Sequence, residues 1–290
     1  LAELCNEYFN VSYFSDSFFS SRYNAFISER AYYSFVFRAL KVKRIFISQN
    51  AVQKAMFSVA RELGIDLLEM QHGVIYDGHM AYSYPRTIDQ LEKKIYTPSF
   101  LLTLSDFWKK EVYLPGAQLL TIGNDNFVPS IMPFVNNKKL LVASSSAHGI
   151  FLTDFLLEVL KTHICEGYSI IFKLHPNEYD RKAYYDEKFK EVENIHVTTD
   201  EKNVEQWMSE CESIFLIEST AAFEALQCGR KVIVLKESSW QTMILLEGIN
   251  NVYFVSTTNE FDIALHQEIK DNNIDFFLPT NYQKLKELAC

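Results

Sequence analysis

The 290-residue sequence has no apolar run near the roughly 20 residues that a membrane-crossing helix requires. Its five cysteines, Cys5, Cys165, Cys211, Cys228 and Cys290, are odd in number and widely spaced, with no CxxC pair. That argues against a disulfide framework or a thiolate zinc site and points to a reducing, cytoplasmic setting. No GxGxxG, P-loop or GxSxG stretch occurs, so dinucleotide-binding, P-loop and serine-hydrolase readings lack an anchor. There is no DxD pair, and His72 and His79 stand without an acidic cluster, so no metal site is expected. Leu1 opens directly into Glu3, Cys5 and Glu7, which is not a signal-peptide pattern. A net charge of -9 argues against a general nucleic-acid binder.

What is present is a globular composition, 48% hydrophobic and 22% charged, long enough for two α/β domains. Residues 1–135 carry 13 basic and 13 acidic groups; residues 136–290 carry 15 and 24. A neutral half followed by an acidic half fits two separate units. Residues 1–40 are rich in Phe and Tyr and predict one or two helices with aromatic faces. From residue 44 the pattern alternates. Short β-rich runs at 44–48, 65–70, 100–104 and 119–122 are separated by helical spacing at 52–63, closed by Gly64, and at 106–113. Asn124 to Asn137, with Pro129 and Pro133, is linker chemistry. The rhythm then resumes, with strands at 140–143, 169–174, 195–198, 213–217, 231–235 and 252–255. Helices are expected at 152–163, 184–192, 204–211 and 221–227. Strands alternating with helices predict parallel sheets covered on both faces. The expected division is a first Rossmann-like domain over 1–130 and a second over 137–290. The chain opens at Leu1 rather than Met, so a truncated first domain is part of the expectation.

In such sheets ligands sit beyond the carboxyl ends of the strands. The polar residues following each strand therefore form the candidate rim: Gln71, His72 and Gly73; Ser105 and Asp106; Gly123 and Asn124; Ser144, Ser145 and Ser146; His175, Pro176, Asn177 and Glu178; Glu218, Ser219 and Thr220. Glu218-Ser219-Thr220 delivers hydroxyls to a helix start, where free N–H groups suit a phosphate, or where they simply cap the helix. Glu224, four residues on, could accept ribose hydroxyls. Lys173 and His175 share one side of their strand and could hold a departing phosphate, with Pro176 ending the ladder. His72 could take a proton from an attacking hydroxyl. The loop after it, with Asp77, His79 and Tyr82, reads as an active-site loop, and Asp77 is the other candidate base. A basic run, Arg38, Lys41, Lys43 and Arg44, reads first as a solvated helix end and second as membrane or phosphate contact.

The run from Ile217 to Leu235, with Glu218-Ser219-Thr220 and Glu224, resembles the donor-binding segment of GT-B glycosyltransferases. Together with Lys173-Leu174-His175-Pro176 and Gln71-His72-Gly73, it resembles bacterial capsule and lipopolysaccharide enzymes, among them HP-motif sialyltransferases and Kdo transferases. It is also similar in pattern to the CDP-glycerol glycerophosphotransferases. The resemblance implies two Rossmann-like domains with parallel sheets facing a cleft, and transfer of a sugar from a UDP- or CMP-linked nucleotide-sugar to a glycan or lipid-linked acceptor. No cofactor beyond that donor is implied. It further implies that His175, Ser219, Thr220 and Glu224 hold the nucleotide phosphates and that His72 is the base. The acidic base motif of the sialyltransferases is absent, which counts against a sialic-acid donor. Lys173–Asn177 also slightly resembles the His-Pro-Asn stretch of UDP-N-acetylglucosamine 2-epimerases. A non-catalytic glycan- or partner-binding role is the remaining alternative.

Overall fold

The computed structural model describes residues 1–48, 53–87, 95–127 and 137–289. The expected linker prolines, Pro129 and Pro133, and the expected helix start at Val52 lie outside the described residues. Two helices open the chain, α1 (Ala2–Phe9) and α2 (Asp16–Ala39). The Ser15 hydroxyl caps α2 by accepting from the Phe18 amide at 3.1 Å. The first sheet follows: β1 (Arg44–Ile47), α3 (Lys54–Glu62), β2 (Asp66–Met70), β3 (Phe100–Thr103) and β4 (Gln118–Thr121). All four strands are parallel and lie in chain order. α3 ends as expected at Gly64, whose φ of +65° closes the helix at little steric cost. The helix expected over 106–113 is one short 3-10 turn, Phe107–Glu111. Arg30 of α2 fastens that helix to α3 through Ser58 at 2.5 Å and Glu62 at 2.7 Å.

The second sheet comprises β5 (Lys139–Ala143), α4 (Gly149–Leu160), β6 (Ser169–Lys173), α5 (Lys182–Phe189), β7 (Ile195–Thr198), α6 (Val204–Glu210), β8 (Ser213–Leu216), α7 (Ala221–Gln227), β9 (Lys231–Leu235), β10 (Val252–Val255) and α8 (Thr258–His266). Its order is β10-β9-β8-β5-β6-β7, again all parallel. Counted from β5, this is the doubly wound order 3-2-1-4-5-6, whose direction reverses between β5 and β8. The central strands contain continuous apolar runs (LLVA, IFL, VIVL) because helices cover both faces. The fold is thus a pair of parallel-sheet α/β domains, as the strand–helix rhythm predicts.

One segment departs from the sequence division. Residues 278–289, read as the end of the second domain, pack on the first sheet. Leu278 exchanges backbone bonds with Leu104 (3.1 Å) and Asn124 (2.9 Å), and Asn281 donates to Ile122 at 2.7 Å. Leu285 and Leu288 of α9 (Tyr282–Ala289) cover Leu68, Leu102 and Ile122. The strap is gripped on the other side by Gln227, whose amide bonds both Phe277 backbone groups at 2.8 and 2.9 Å. Buried Trp108 donates to the Phe276 carbonyl at 2.6 Å. One apolar core therefore runs from Ile75, Leu101 and Trp108 of the first domain to Leu141, Ile214 and Phe223 of the second.

Candidate functional site

β5, β6 and β8 end around one cavity of about 290 Å³. Ser144, Lys173, His175, Pro176 and Ser219 line it, with Tyr179, Lys202 and Asn203 on the far wall. Five of the residues picked from sequence are thus assembled at the place where the strand order reverses, from segments up to 75 residues apart.

His175 caps the turn that follows β6. Its Nδ1 accepts from the Asn177 amide at 3.1 Å, and its own amide donates to Glu178 Oε2 at 3.2 Å. An Nδ1 used as acceptor puts the proton of the neutral ring on Nε2, so this exposed imidazole keeps a donor for an anion. Beneath it Glu178 is fully buried and accepts from Tyr185. The expectation for Lys173 needs correction. Its ammonium is buried and spent on the Thr199 carbonyl, the Leu174 carbonyl (3.2 Å) and the Tyr179 hydroxyl (3.0 Å). Strand-end carbonyls need donors once buried, and this ammonium is beside them. It ties β6 to β7.

Ser219 and Thr220 lead into α7, and the Ser219 hydroxyl accepts from the Ala221 amide at 3.2 Å. Burial raises the Glu224 carboxyl above its ordinary value, the charge of Glu205 adds to this, and the Thr220 hydroxyl opposes it. Across the switch point the turn Ser144–His148 precedes α4. The Ser145 hydroxyl and His148 Nδ1 are sealed from solvent and have no hydrogen-bond partner, and the buried Ser144 hydroxyl lies beside that of Tyr185. His148 was not among the sequence candidates. Apolar spacing places the helix start at Leu152, whereas α4 begins at Gly149, so His148 belongs to the rim. Its Nε2 lies 3.2 Å from Glu218 Oε1, and the Thr242 hydroxyl donates to Glu218 Oε2 at 3.4 Å. The Glu218 carboxylate thus already has protein partners.

On the first domain the rim residues divide. His72 and Asp77 are exposed. Asp77 lines a cavity of about 370 Å³ with Phe107, Lys110 and Glu111 of the first domain and Ile244 and Leu245 of the second. His79 accepts from the Ala81 amide through Nδ1 at 3.2 Å and lies against Tyr82. Its pKa is lowered, chiefly by burial and further by His72. Tyr82, expected on the acceptor side, is buried and donates to the buried Glu69 at 2.5 Å. Burial and the Glu69 charge push its phenol far above the ordinary value. Gln71 is a buried fastener: it donates to the Gly73 carbonyl at 2.9 Å and accepts from the Leu104 amide at 3.0 Å. Gly73 continues that turn between Gln71 and the loop. Gly123 and Asn124 are not open to a donor either. The strap covers them, and a Cβ on Gly123 would run into the carbonyls of Leu278 and Pro279. The expectation failed because the strap comes from 155 residues further along the chain.

Residues 144–248 match the model of a family described as capsule polysaccharide biosynthesis protein. No curated protein matches the chain. Among solved structures, the UDP-GlcNAc 2-epimerase of Methanocaldococcus jannaschii superposes with a TM-score of 0.57 at 15% identity, over 91% of this chain and 81% of that one. MurG of Acinetobacter baumannii gives 0.57 at 13% identity, over 91% and 77%. A glycosyltransferase from Rickettsia africae gives 0.52 at 12%, over 82% and 69%. Such low identities speak for the fold alone. The chain has the GT-B fold, and the segment carrying Ser144, His148, His175, Glu218, Ser219 and Thr220 is similar to capsule polysaccharide biosynthesis proteins.

Proposed function

We propose that this chain is a glycosyltransferase that moves a sugar from a nucleotide-sugar to a glycan or lipid-linked acceptor in surface polysaccharide synthesis. The observation that carries this reading is the cavity at the switch point, where Ser144, His175 and Ser219 converge beside the turn that holds the unpartnered Ser145 hydroxyl and His148 Nδ1. Unpartnered buried polar atoms are rare and call for an occupant. The match of 144–248 to a capsule family supports the pathway class. The Methanocaldococcus jannaschii epimerase has been solved with UDP-GlcNAc and UDP, which favours a UDP-linked donor, with CMP the second choice.

In this reading His175 Nε2–H, the Ser144, Ser145, Ser219 and Thr220 hydroxyls and the helix starts of α4 and α7 stabilise the departing phosphate. Glu224 receives the ribose hydroxyls. His72 or Asp77, on the opposite rim, takes the acceptor proton. Closure of the domains about the strap excludes water from the donor. The fixed donors supply the positive field without a metal ion, and activity in the presence of a chelator tests that point.

The acceptor side faces a membrane in this reading. The α1–α2 region leaves Tyr8, Tyr13, Tyr32, Phe35 and Leu40 exposed, next to Arg38, Lys41 and Lys43. No helix among the described residues is long and apolar enough to cross a bilayer. In this reading the enzyme is cytoplasmic and meets the inner face of the membrane through that aromatic and basic surface.

Thermal shift with UDP, CMP, CDP and GDP tests the donor site. A nucleotide at about 100 times its dissociation constant adds roughly 2.7 kcal/mol. His175→Ala and Thr220→Ala are expected to lose that stabilisation. No shift with any nucleotide refutes the donor site. Release of an epimerised sugar without an acceptor would favour the epimerase reading, and activity with CDP-glycerol alone the glycerophosphotransferase reading.

A further inference from the structure

We propose that His148 is a positioning residue that neutralises Glu218 at the mouth of the donor site, so that an anionic donor can enter. The proposal rests on the donor-site reading above. Glu218 immediately precedes Ser219, and its side chain remains 31% exposed. A bare carboxylate there would repel a diphosphate held by the neighbouring hydroxyls. Lys173 directs its N–H groups to the Thr199 and Leu174 carbonyls and the Tyr179 hydroxyl rather than to Glu218. His148 Nε2 lies 3.2 Å from Glu218 Oε1, and the two form an ion pair when the imidazole is protonated.

His148 is 5% exposed, with one ring nitrogen on Glu218 and the other sealed without a partner. Its bare Nδ1 shares a five-residue turn with the unpartnered hydroxyl of Ser145 and with buried Ser144, whose hydroxyl lies beside that of Tyr185. A phosphate oxygen at this turn completes the hydrogen-bond sets of Ser145 and His148. When protonated, the imidazole donates from Nε2 to Glu218 and from Nδ1 to the phosphate. The pair also joins the two loops that flank the switch point, since His148 follows β5 and Glu218 follows β8. The Thr242 hydroxyl, from the segment after β9, lies 3.0 Å from the Ser239 carbonyl and 3.4 Å from the second Glu218 oxygen.

The charge argument has a signature that a packing role lacks. Removing His148 leaves Glu218 facing the donor; removing the charge of Glu218 as well lifts the repulsion. The test is calorimetric binding of UDP, or of CMP if the wild type binds that instead, to the full chain and to His148→Leu, Glu218→Gln and the double variant. His148→Leu is expected to weaken binding at least tenfold. Glu218→Gln alone should change it less than threefold, and the double variant should return to within threefold of the wild type. Binding of the uncharged nucleoside should be the same in all four proteins. If His148→Leu does not fold, His148→Asn takes its place in the same cycle. Equal affinities throughout, or a double variant no better than the His148 variant, overturns the proposal while leaving the donor site standing. Failure of the wild type to bind either nucleotide overturns both.

Discussion

Gly149 opens α4 at the point where a side chain has least room. A Cβ built there falls inside contact distance of Glu178 Oε1, Tyr185 Oη and Ser144 Oγ. Glu178 and Tyr185 are both fully buried and bonded to each other, so neither can swing away into solvent. Gly149→Ala must therefore displace them. Overpacking of this kind costs about 1–3 kcal/mol. Breaking the bond between the Tyr185 hydroxyl and a buried carboxylate costs about 1.5–3 kcal/mol more. The sum, about 2.5–6 kcal/mol, is a large part of the roughly 5–15 kcal/mol that stabilises an ordinary domain. For a domain of this size it corresponds to a melting-point loss of roughly 5–24 °C. Differential scanning calorimetry reads it directly. The same substitution moves the His148 turn, so nucleotide stabilisation of the remaining folded protein should shrink as well. A Gly149→Ala protein that melts within about 2 °C of the wild type would refute the steric reasoning and the claim that this cluster is rigid.

Three further outcomes follow from the geometry. Bonds from the Tyr282 hydroxyl and the Thr280 amide hold the Asp125 carboxyl below its ordinary value. A depressed carboxyl contributes above its unfolded pKa, about 4, and loses that contribution as pH falls through the folded value. Hydrogen exchange over 278–289, corrected for intrinsic rates, should therefore accelerate in acid, and Asp125→Asn should remove the difference; a pH-independent strap contradicts this. Tyr82→Phe takes a donor from buried Glu69 and should cost about 1–3 kcal/mol in denaturant unfolding without altering nucleotide binding. Vesicles rich in anionic phosphatidylglycerol should float the wild-type chain, and a Tyr8, Tyr32 and Phe35 triple change to Ser should abolish flotation, whereas equal flotation of both would place the contact elsewhere.

The alternation of short apolar runs with helical spacing specified two parallel sheets, and the polar residue after each strand nominated the rim. Both are local properties: a strand buried on both faces must be apolar throughout, and its end must turn. Ser144, His175 and Ser219 were legible for that reason. What neighbours each tip was decided only in three dimensions. Gly123-Asn124 carries the same local signature as Ser144-Ser145, yet a strap from 278–282 covers the first while the second stays beside a cavity. Lys173 reads in sequence as a phosphate-binding group, and burial beside strand-end carbonyls occupies its N–H groups instead. His148 and Glu218 are 70 residues apart, and only the reversal of strand order between β5 and β8 makes them a pair. Periodicity is written in neighbouring residues, whereas the partners that satisfy or block a polar group come from distant ones, so the sequence determined the sheets and the rim and the tertiary structure decided which rim groups remain free to bind.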